Sequence, residues 1–369
     1  MDSDIVLVIV VATALAFDFT NGFHDTANVV ATAISTRAVS PRLAVTSAAL
    51  LNFVGAFISL EVAATVAKGI VDPDLVTPTI VFGGLIGAIA WNLITWYFGL
   101  PSSSSHALIG GVAGAAFAAK GSDAIFWGEG ILGKVAIPAL IAPTLAFLTS
   151  AIAIVTAYWI IGRLRPGAVG RGFRLGQIVS SGLLALSHGT NDAQKTMGII
   201  TLALVANGNL SGDADVPTWV VIAAATAIAL GTYAGGWRII RTLATRIIKM
   251  DPPQGFAAQS AGATVILASS HFGYPLSTTH TISGAVMGAG AAKRLSAVRW
   301  GIAGNIVLAW ILTLPMAGAI GAASYGVTRI FGTGAVGPIV VSVLAIAVIA
   351  LIFGRRAQEV APAPAAGGS

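Results

Sequence analysis

The chain has 369 residues, a net charge of +6, 56% hydrophobic residues and only 9% charged ones, with no cysteine. A soluble domain carries roughly a quarter charged residues, so a water-soluble globule is excluded. Disulfides, thiolate metal sites and a cysteine nucleophile are excluded with it.

Apolar runs long enough to cross or enter a hydrocarbon core of ~30 Å are predicted at 5–36, 43–67, 78–98, 103–118, 131–162, 174–206, 216–237, 255–271, 276–292, 300–327 and 335–353. The first residues, Met1-Asp2-Ser3-Asp4, lack the basic start of a cleaved signal peptide, which predicts that the first segment is retained. Segments 5–36 and 174–206 are each interrupted near the middle by polar residues, and each is expected to be a broken, tilted span or a pair of half-helices. The same choice applies to the runs that follow Pro101 and Pro275. Residues 355–369, ending in Ala-Pro-Ala-Pro-Ala-Ala-Gly-Gly before Ser369, are expected to be a disordered C-terminal tail.

Loop charges set an orientation, because short cytoplasmic loops collect Lys and Arg. Basic loops lie at 37–42, 163–174, 238–251, 293–299 and 355–356, and acidic ones at the N-terminus, 68–77 and 207–215. With the N-terminus outside and the C-terminus cytoplasmic, every sign agrees with its side. The basic excess is thereby explained without nucleic acid as a partner.

Two strings occur twice. Asn21-Gly22-Phe23-His24-Asp25-Thr26-Ala27-Asn28 returns as His188-Gly189-Thr190-Asn191-Asp192-Ala193-Gln194-Lys195 at a shift of 167, and Pro101-Ser102-Ser103-Ser104-Ser105-His106 returns as Pro275-Leu276-Ser277-Thr278-Thr279-His280 at a shift of 174. Five predicted crossings precede the 163–174 loop, so the second copy enters from the opposite face, and the loop signs reverse accordingly. The expected architecture is an all-α polytopic membrane protein built as an inverted-topology repeat, with broken or re-entrant helices and about 10–12 segments. One membrane domain contains a first repeat at 1–165 and a second at 166–354. Polar, glycine-broken strings at matching places in two such halves point to the binding site of a transporter that works by alternating access.

Asp25 and Asp192 occupy equivalent positions, preceded by His24 and Asn191. A carboxylate at mid-membrane depth costs on the order of 2.5 to 3.5 kcal/mol, so it is paired, cation-bound or proton-carrying. Ser103, Ser104 and Ser105, with Ser277, Thr278 and Thr279, supply hydroxyls at two expected helix N-termini. Such termini attract anions through free N–H groups and the helix dipole. Lys195 is the cation placed inside a polar string, available to an anion or to Asp192, with snorkelling as the competing use. Glu61, Asn52, Asn92 and Asn305 also fall within apolar runs, and Glu61 is either a proton carrier or a solvent-exposed group. Asp18 has no acidic counterpart, since the equivalent position is Ala185, and it is not assigned as a ligand. Gly110 with Gly114 and Gly284 with Gly288 are expected at close helix contacts.

At these strings the chain resembles the PiT inorganic phosphate transporter family, whose signature is a Gly-Ala-Asn-Asp-type motif in each inverted half. Here the motif reads Gly22-Phe23-His24-Asp25-Thr26-Ala27-Asn28 and Gly189-Thr190-Asn191-Asp192-Ala193-Gln194-Lys195, and the Pro-x-Ser strings match the second duplicated element of the family. The resemblance covers about residues 5–353 and implies symport of inorganic phosphate by a homodimer in the cell (inner) membrane. It implies substrate contacts from Ser103, Ser104, Ser105, Ser277, Thr278, Thr279, Asn28, Gln194 and Lys195, and coupling-ion positions at Asn21, His24, Asp25, Asn191 and Asp192. His24 in place of Asn, and Gln194-Lys195 in place of Ala-Asn, resemble the bacterial low-affinity branch, which implies proton coupling and phosphate carried with a divalent metal such as magnesium. No resident cofactor and no catalytic residue are implied. Sodium-coupled phosphate symport and a sulfate or other oxyanion permease of the same fold are the alternatives. Two other classes, an intramembrane hydrolase and a passive channel, fit less well: adjacent Ser and His on a helix point apart, and a channel has less need of repeat symmetry.

Overall fold

The computed structural model describes residues 2–161 and 166–360. Among them the ordered elements are helices, and the one β-type contact is a single bridge between Val71 and Ile125. In chain order the helices are α1 (Asp2–Ser35), α2 (Pro41–Gly55), α3 (Glu61–Lys68), α4 (Pro78–Phe98), α5 (Ser104–Lys120) and α6 (Ile137–Ile161), then α7 (Pro166–Ala206), α8 (Thr218–Ala234), α9 (Trp237–Arg241), α10 (Pro252–His271), α11 (Thr278–Lys293), α12 (Trp300–Ile330) and α13 (Val336–Val360). Four helical stretches are long and apolar enough to cross a membrane unaided: Asp2–Ser35, Pro78–Phe98, Trp127–Ile161 and Trp300–Ile330. A fifth is a pair, Thr218–Ala234 with Trp237–Ala244, bent by 57° at the break.

The six helices before the 162–165 connection, α1–α6, can be set in order against α7–α12, and α13 has no counterpart. Proline opens α4 and α10 in the first-turn position where its missing N–H costs nothing. Serine caps α5 and α11: Ser103 Oγ accepts from His106 N at 3.1 Å, and Ser277 Oγ accepts from His280 N at 3.2 Å. The packing is reciprocal too, with α5 against α12 and α11 against α6, and with α1 against α8 and α7 against α2. Gly110 and Gly114 lie against the backbone of α12, and Gly284 and Gly288 against that of α6, where any Cβ would overlap main-chain atoms. These are the close contacts expected of the four glycines.

Two apolar cores flank the middle of the molecule. Val6, Val10, Ala14 and Phe17, ahead of the polar string on α1, share one core with Met197, Ile200 and Leu204, which follow the string on α7. Ala27, Val29 and Val30 share the other with Leu184 and Ala185, which precede it. Around the outside, Leu140, Ile152 and Trp159 of α6, Ile311 of α12 and Ile346 of α13 are exposed, a surface suited to lipid and not to water.

Three expectations need correction. Helices α1 and α7 run unbroken through their polar strings, as helices of 34 and 41 residues, so neither is a pair of half-helices. No proline interrupts them, and their polar side chains find partners on other helices, so the backbone ladder need not open. The breaks fall elsewhere: the predicted run 43–67 divides into α2 and α3, and the run 216–237 ends where α8 stops at Ala234. Most of the predicted 163–174 loop is the start of α7, although Arg163 and Arg165 lie outside the described residues. Finally, 355–360 extend α13 instead of beginning a disordered tail, since Arg355, Arg356, Ala357, Gln358 and Glu359 are residue types that tolerate or favour helix. The rest of that predicted tail, 361–369, lies outside the described residues.

Candidate functional site

Between the two cores the middle turns of α1 and α7 meet the first turns of α5 and α11. Every residue singled out in the two pairs of strings is buried there. Oxygens of Asp25 and Asp192 and a ring nitrogen of His188 lie within 4.8 Å of one another, although 167 positions separate the two acids in sequence.

Asp25 is held by groups from both halves. Its Oδ1 lies 2.8 Å from His24 Nδ1 and accepts from Thr279 Oγ1 at 3.3 Å, while Oδ2 accepts from Ser104 Oγ at 2.6 Å. Ser104 Oγ is also 2.6 Å from the Asn21 side-chain amide. One hydroxyl hydrogen serves one acceptor at a time, so Ser104 is shared between Asn21 Oδ1 and Asp25 Oδ2. His24 Nε2 reaches Thr95 Oγ1 at 3.2 Å and Ser102 Oγ at 3.4 Å.

Asp192 has a more cationic setting. Lys195 Nζ contacts its Oδ1, His188 Nε2 lies 3.1 Å from its Oδ2, and Thr278 Oγ1 donates to Oδ2 at 3.2 Å. The same ammonium donates to Ser105 Oγ and to the main-chain carbonyl of Leu276, the latter at 2.7 Å. Lys195 is 1% exposed, so it does not snorkel. His188 is fixed from behind by Asn52 Oδ1 at 3.2 Å, and Asn52 Nδ2 donates to Thr232 Oγ1 at 2.8 Å.

The halves interlock through equivalent positions. Asn28 Nδ2 donates to Thr279 Oγ1 at 2.8 Å, as its counterpart Lys195 donates to Ser105, the counterpart of Thr279. Within the second half Asn191, which stands where the first half has His24, donates to Ser270 Oγ at 2.9 Å.

Not every sequence-selected residue sits in this centre in the same way. Gln194 Oε1 accepts from Val62 N at 2.8 Å and Ala63 N at 3.1 Å, so it satisfies two free N–H groups at the start of α3. Ser103 and Ser277 cap their helices, whereas Ser104, Ser105, Thr278 and Thr279 face the acids and the lysine. Glu61 and Asn305 are exposed, and Asn92 is buried. Sequence reasoning passed over His188, although it lies one turn before Asp192 on the same helix face, a spacing that places the two side chains together. Thr95, Ser102 and the Leu276 carbonyl carried no such signal.

Chemically, the centre offers two helix N-termini and a set of hydroxyls to an anion, but also two carboxylates that repel one. The Asp25, His188 and Asp192 oxygen and nitrogen donors suit a divalent ion.

Comparison with known proteins supports the anion reading. The phosphate transporter family matches residues 21–321. A "Probable low-affinity inorganic phosphate transporter" of Mycobacterium tuberculosis (strain ATCC 25618 / H37Rv) is 54% identical over 331 residues, covering 88% of this chain and 78% of the relative. Proteins of the same name from Rhizobium meliloti (strain 1021) and Bacillus subtilis (strain 168) are 50% and 45% identical, covering 86% and 87% of this chain and 95% and 96% of theirs. A solved structure described as "The sodium-dependent phosphate transporter" superposes with a TM-score of 0.78 at 26% identity, over 88% of this chain and 99% of that one.

Proposed function

Because this chain belongs to the phosphate transporter family, we propose that it is a secondary active symporter that moves inorganic phosphate through the centre between α1, α5, α7 and α11, coupled to protons and carrying divalent metal with its substrate. Transport of inorganic phosphate, and the absence of enzymatic chemistry, follow from the family and the relatives together. One observation supports the rest: two N-capped helix starts, one from each half, bring Ser104, Ser105, Thr278 and Thr279 against a pair of buried carboxylates.

In this mechanism the hydroxyls that now donate to Asp25 and Asp192 turn to phosphate oxygens once a cation or a proton neutralises the acids. Phosphate without its counter-charge is repelled by the carboxylates, and the counter-charge without phosphate leaves the helix N-termini without an anion. That mutual requirement is what couples the two fluxes. The neutral metal-phosphate form satisfies it in one species, with Asp25, His188 and Asp192 toward the metal.

We read the two sets of corresponding helices as oppositely oriented copies. Support comes from the cores, where residues before the string on α1 pack with residues after the string on α7, and the reverse. Such copies can exchange conformations and open the centre to each side in turn. The N-terminus is placed outside and the C-terminus in the cytoplasm, and the working unit is a homodimer. Since the chain has no cysteine, single cysteines introduced near Asp4 and Asp74 report sidedness directly.

The deciding experiment is uptake of radiolabelled phosphate into proteoliposomes, with proton and sodium gradients imposed separately and with magnesium present or chelated. An inward proton gradient with magnesium is expected to drive accumulation. Accumulation that follows sodium alone ends the proton reading, and displacement of phosphate by equal sulfate ends the substrate assignment.

A further inference from the structure

One pair of equivalent positions holds different chemistry in the two halves. In the first half, Asn28 reaches Thr279 through Nδ2, its Oδ1 is buried without a hydrogen-bond partner, and Thr279 leads on to Asp25. The equivalent place in the second half is filled by the ammonium of Lys195, which stands among Asp192 Oδ1, Ser105 Oγ and the Leu276 carbonyl oxygen. A carboxylate, a hydroxyl and a main-chain carbonyl around one positive centre is the kind of oxygen set that binds a small hard cation at a helix break. All three ammonium hydrogens are engaged by these oxygens. None is left for an anion unless one of the three contacts is given up.

We propose that Lys195 is a tethered resident cation: its ammonium permanently fills one of two equivalent monovalent-cation positions, so the second half-site takes no sodium and only the first, at Asp25 and Asn28, exchanges its positive charge during transport. This rests on the reading of the centre as an ion-coupled phosphate site, and it assigns Lys195 to the coupling machinery instead of to direct phosphate contact. Asparagine, the residue at the matching position of the first half, is long enough to line the same space and leaves room for an ion.

The test is the Lys195→Asn variant of the full chain, purified in detergent and melted in a series of sodium chloride concentrations, with choline chloride holding ionic strength constant and no phosphate present. A cation that binds only the folded form raises the melting temperature with its concentration. The variant is expected to show a steeper rise than the parent, with a gain of about 3 °C or more between choline and saturating sodium. In proteoliposomes the same variant is expected to take up phosphate several-fold faster when an inward sodium gradient is added, beyond any response of the parent. If the variant is recovered folded only when sodium is present during extraction, the proposal is supported. Equal slopes for variant and parent, or a variant that aggregates alike in sodium and choline, overturn it. Because the melting series contains no phosphate, its result is independent of whether the parent carries phosphate, which the uptake of the parent decides separately.

Discussion

Asn28 on α1 and Thr279 at the start of α11 are 251 positions apart in sequence and share a buried 2.8 Å hydrogen bond, from the asparagine Nδ2 to the threonine Oγ1. The bond joins the polar string of one half to the helix N-terminus of the other, and Thr279 passes the connection on to Asp25. Each half thus completes the other's site, which explains why neither string is intelligible alone.

Replacing Thr279 by valine keeps the shape and removes the hydroxyl. A buried amide left without its acceptor costs about 1–3 kcal/mol, and Asp25 loses a donor at the same time. We expect Thr279→Val to lower phosphate uptake at least about tenfold, while Thr279→Ser retains most of it. Equal rates for both variants and the parent in proteoliposomes would remove Thr279 from the site.

The two acids differ in what they hold. Asp192 balances a fully buried ammonium, and breaking such a pair by removing one partner costs about 3–5 kcal/mol. Asp25 faces a histidine, a group that can be neutral, and hydroxyls. Asp25→Asn is therefore expected to melt near the parent temperature and to transport little, whereas Asp192→Asn is expected to lose stability as well. Adding Lys195→Met to Asp192→Asn removes the unpaired charge and is expected to recover much of the melting temperature without recovering transport. Thermal melting and uptake on the same preparations separate the two effects.

The sequence made the helical class legible, and it singled out polar residues that meet between α1, α5, α7 and α11, because a carboxylate or a run of hydroxyls inside apolar sequence has few innocuous explanations. It misplaced the helix breaks. Asn21, Asp25 and Asn28 look like interruptions in one dimension, yet their partners on α5 and α11 satisfy them in three, and α1 stays whole. Gln194 shows the same limit in another form: its carbonyl serves the N-terminus of α3, an element only eight residues long that the predicted run 43–67 merged with α2. His188 was within reach of sequence reasoning, since its spacing from Asp192 is one helical turn.

Close helix packing yields a stability prediction with an internal control. A Cβ on Gly114 would overlap the backbone at Gly318, and one on Gly288 the backbone at Phe147, whereas Gly304 on α12 has open space around it. Overpacking of this kind costs about 1–3 kcal/mol, and exchanging Gly for Ala in an unconstrained helix gains up to about 1 kcal/mol. Gly114→Ala and Gly288→Ala are expected to melt lower than the parent and Gly304→Ala no lower. All three melting lower together would contradict the packing account.

His24 connects Asp25 to Thr95 and Ser102 by its two ring nitrogens, so it touches the site from the side opposite Thr279. An imidazole can take up and release a proton at a ring nitrogen, and an asparagine amide cannot. The rate of phosphate uptake by His24→Asn is expected to vary less than that of the parent between about pH 6 and pH 8. An unchanged profile would show that another group carries the proton.

His188 supplies the nitrogen donor of the Asp25–His188–Asp192 group. Were the group to hold the metal of a metal-phosphate complex, losing one of three donors should weaken the metal more than the phosphate. His188→Gln is accordingly expected to need roughly tenfold more magnesium for half-maximal uptake, with a smaller change in the phosphate concentration required. Chelation should stop uptake by the parent, and restored magnesium should return it. Stimulation curves that coincide for variant and parent would leave His188 a structural role, as a brace that joins Asp192 on α7 to Asn52 on α2.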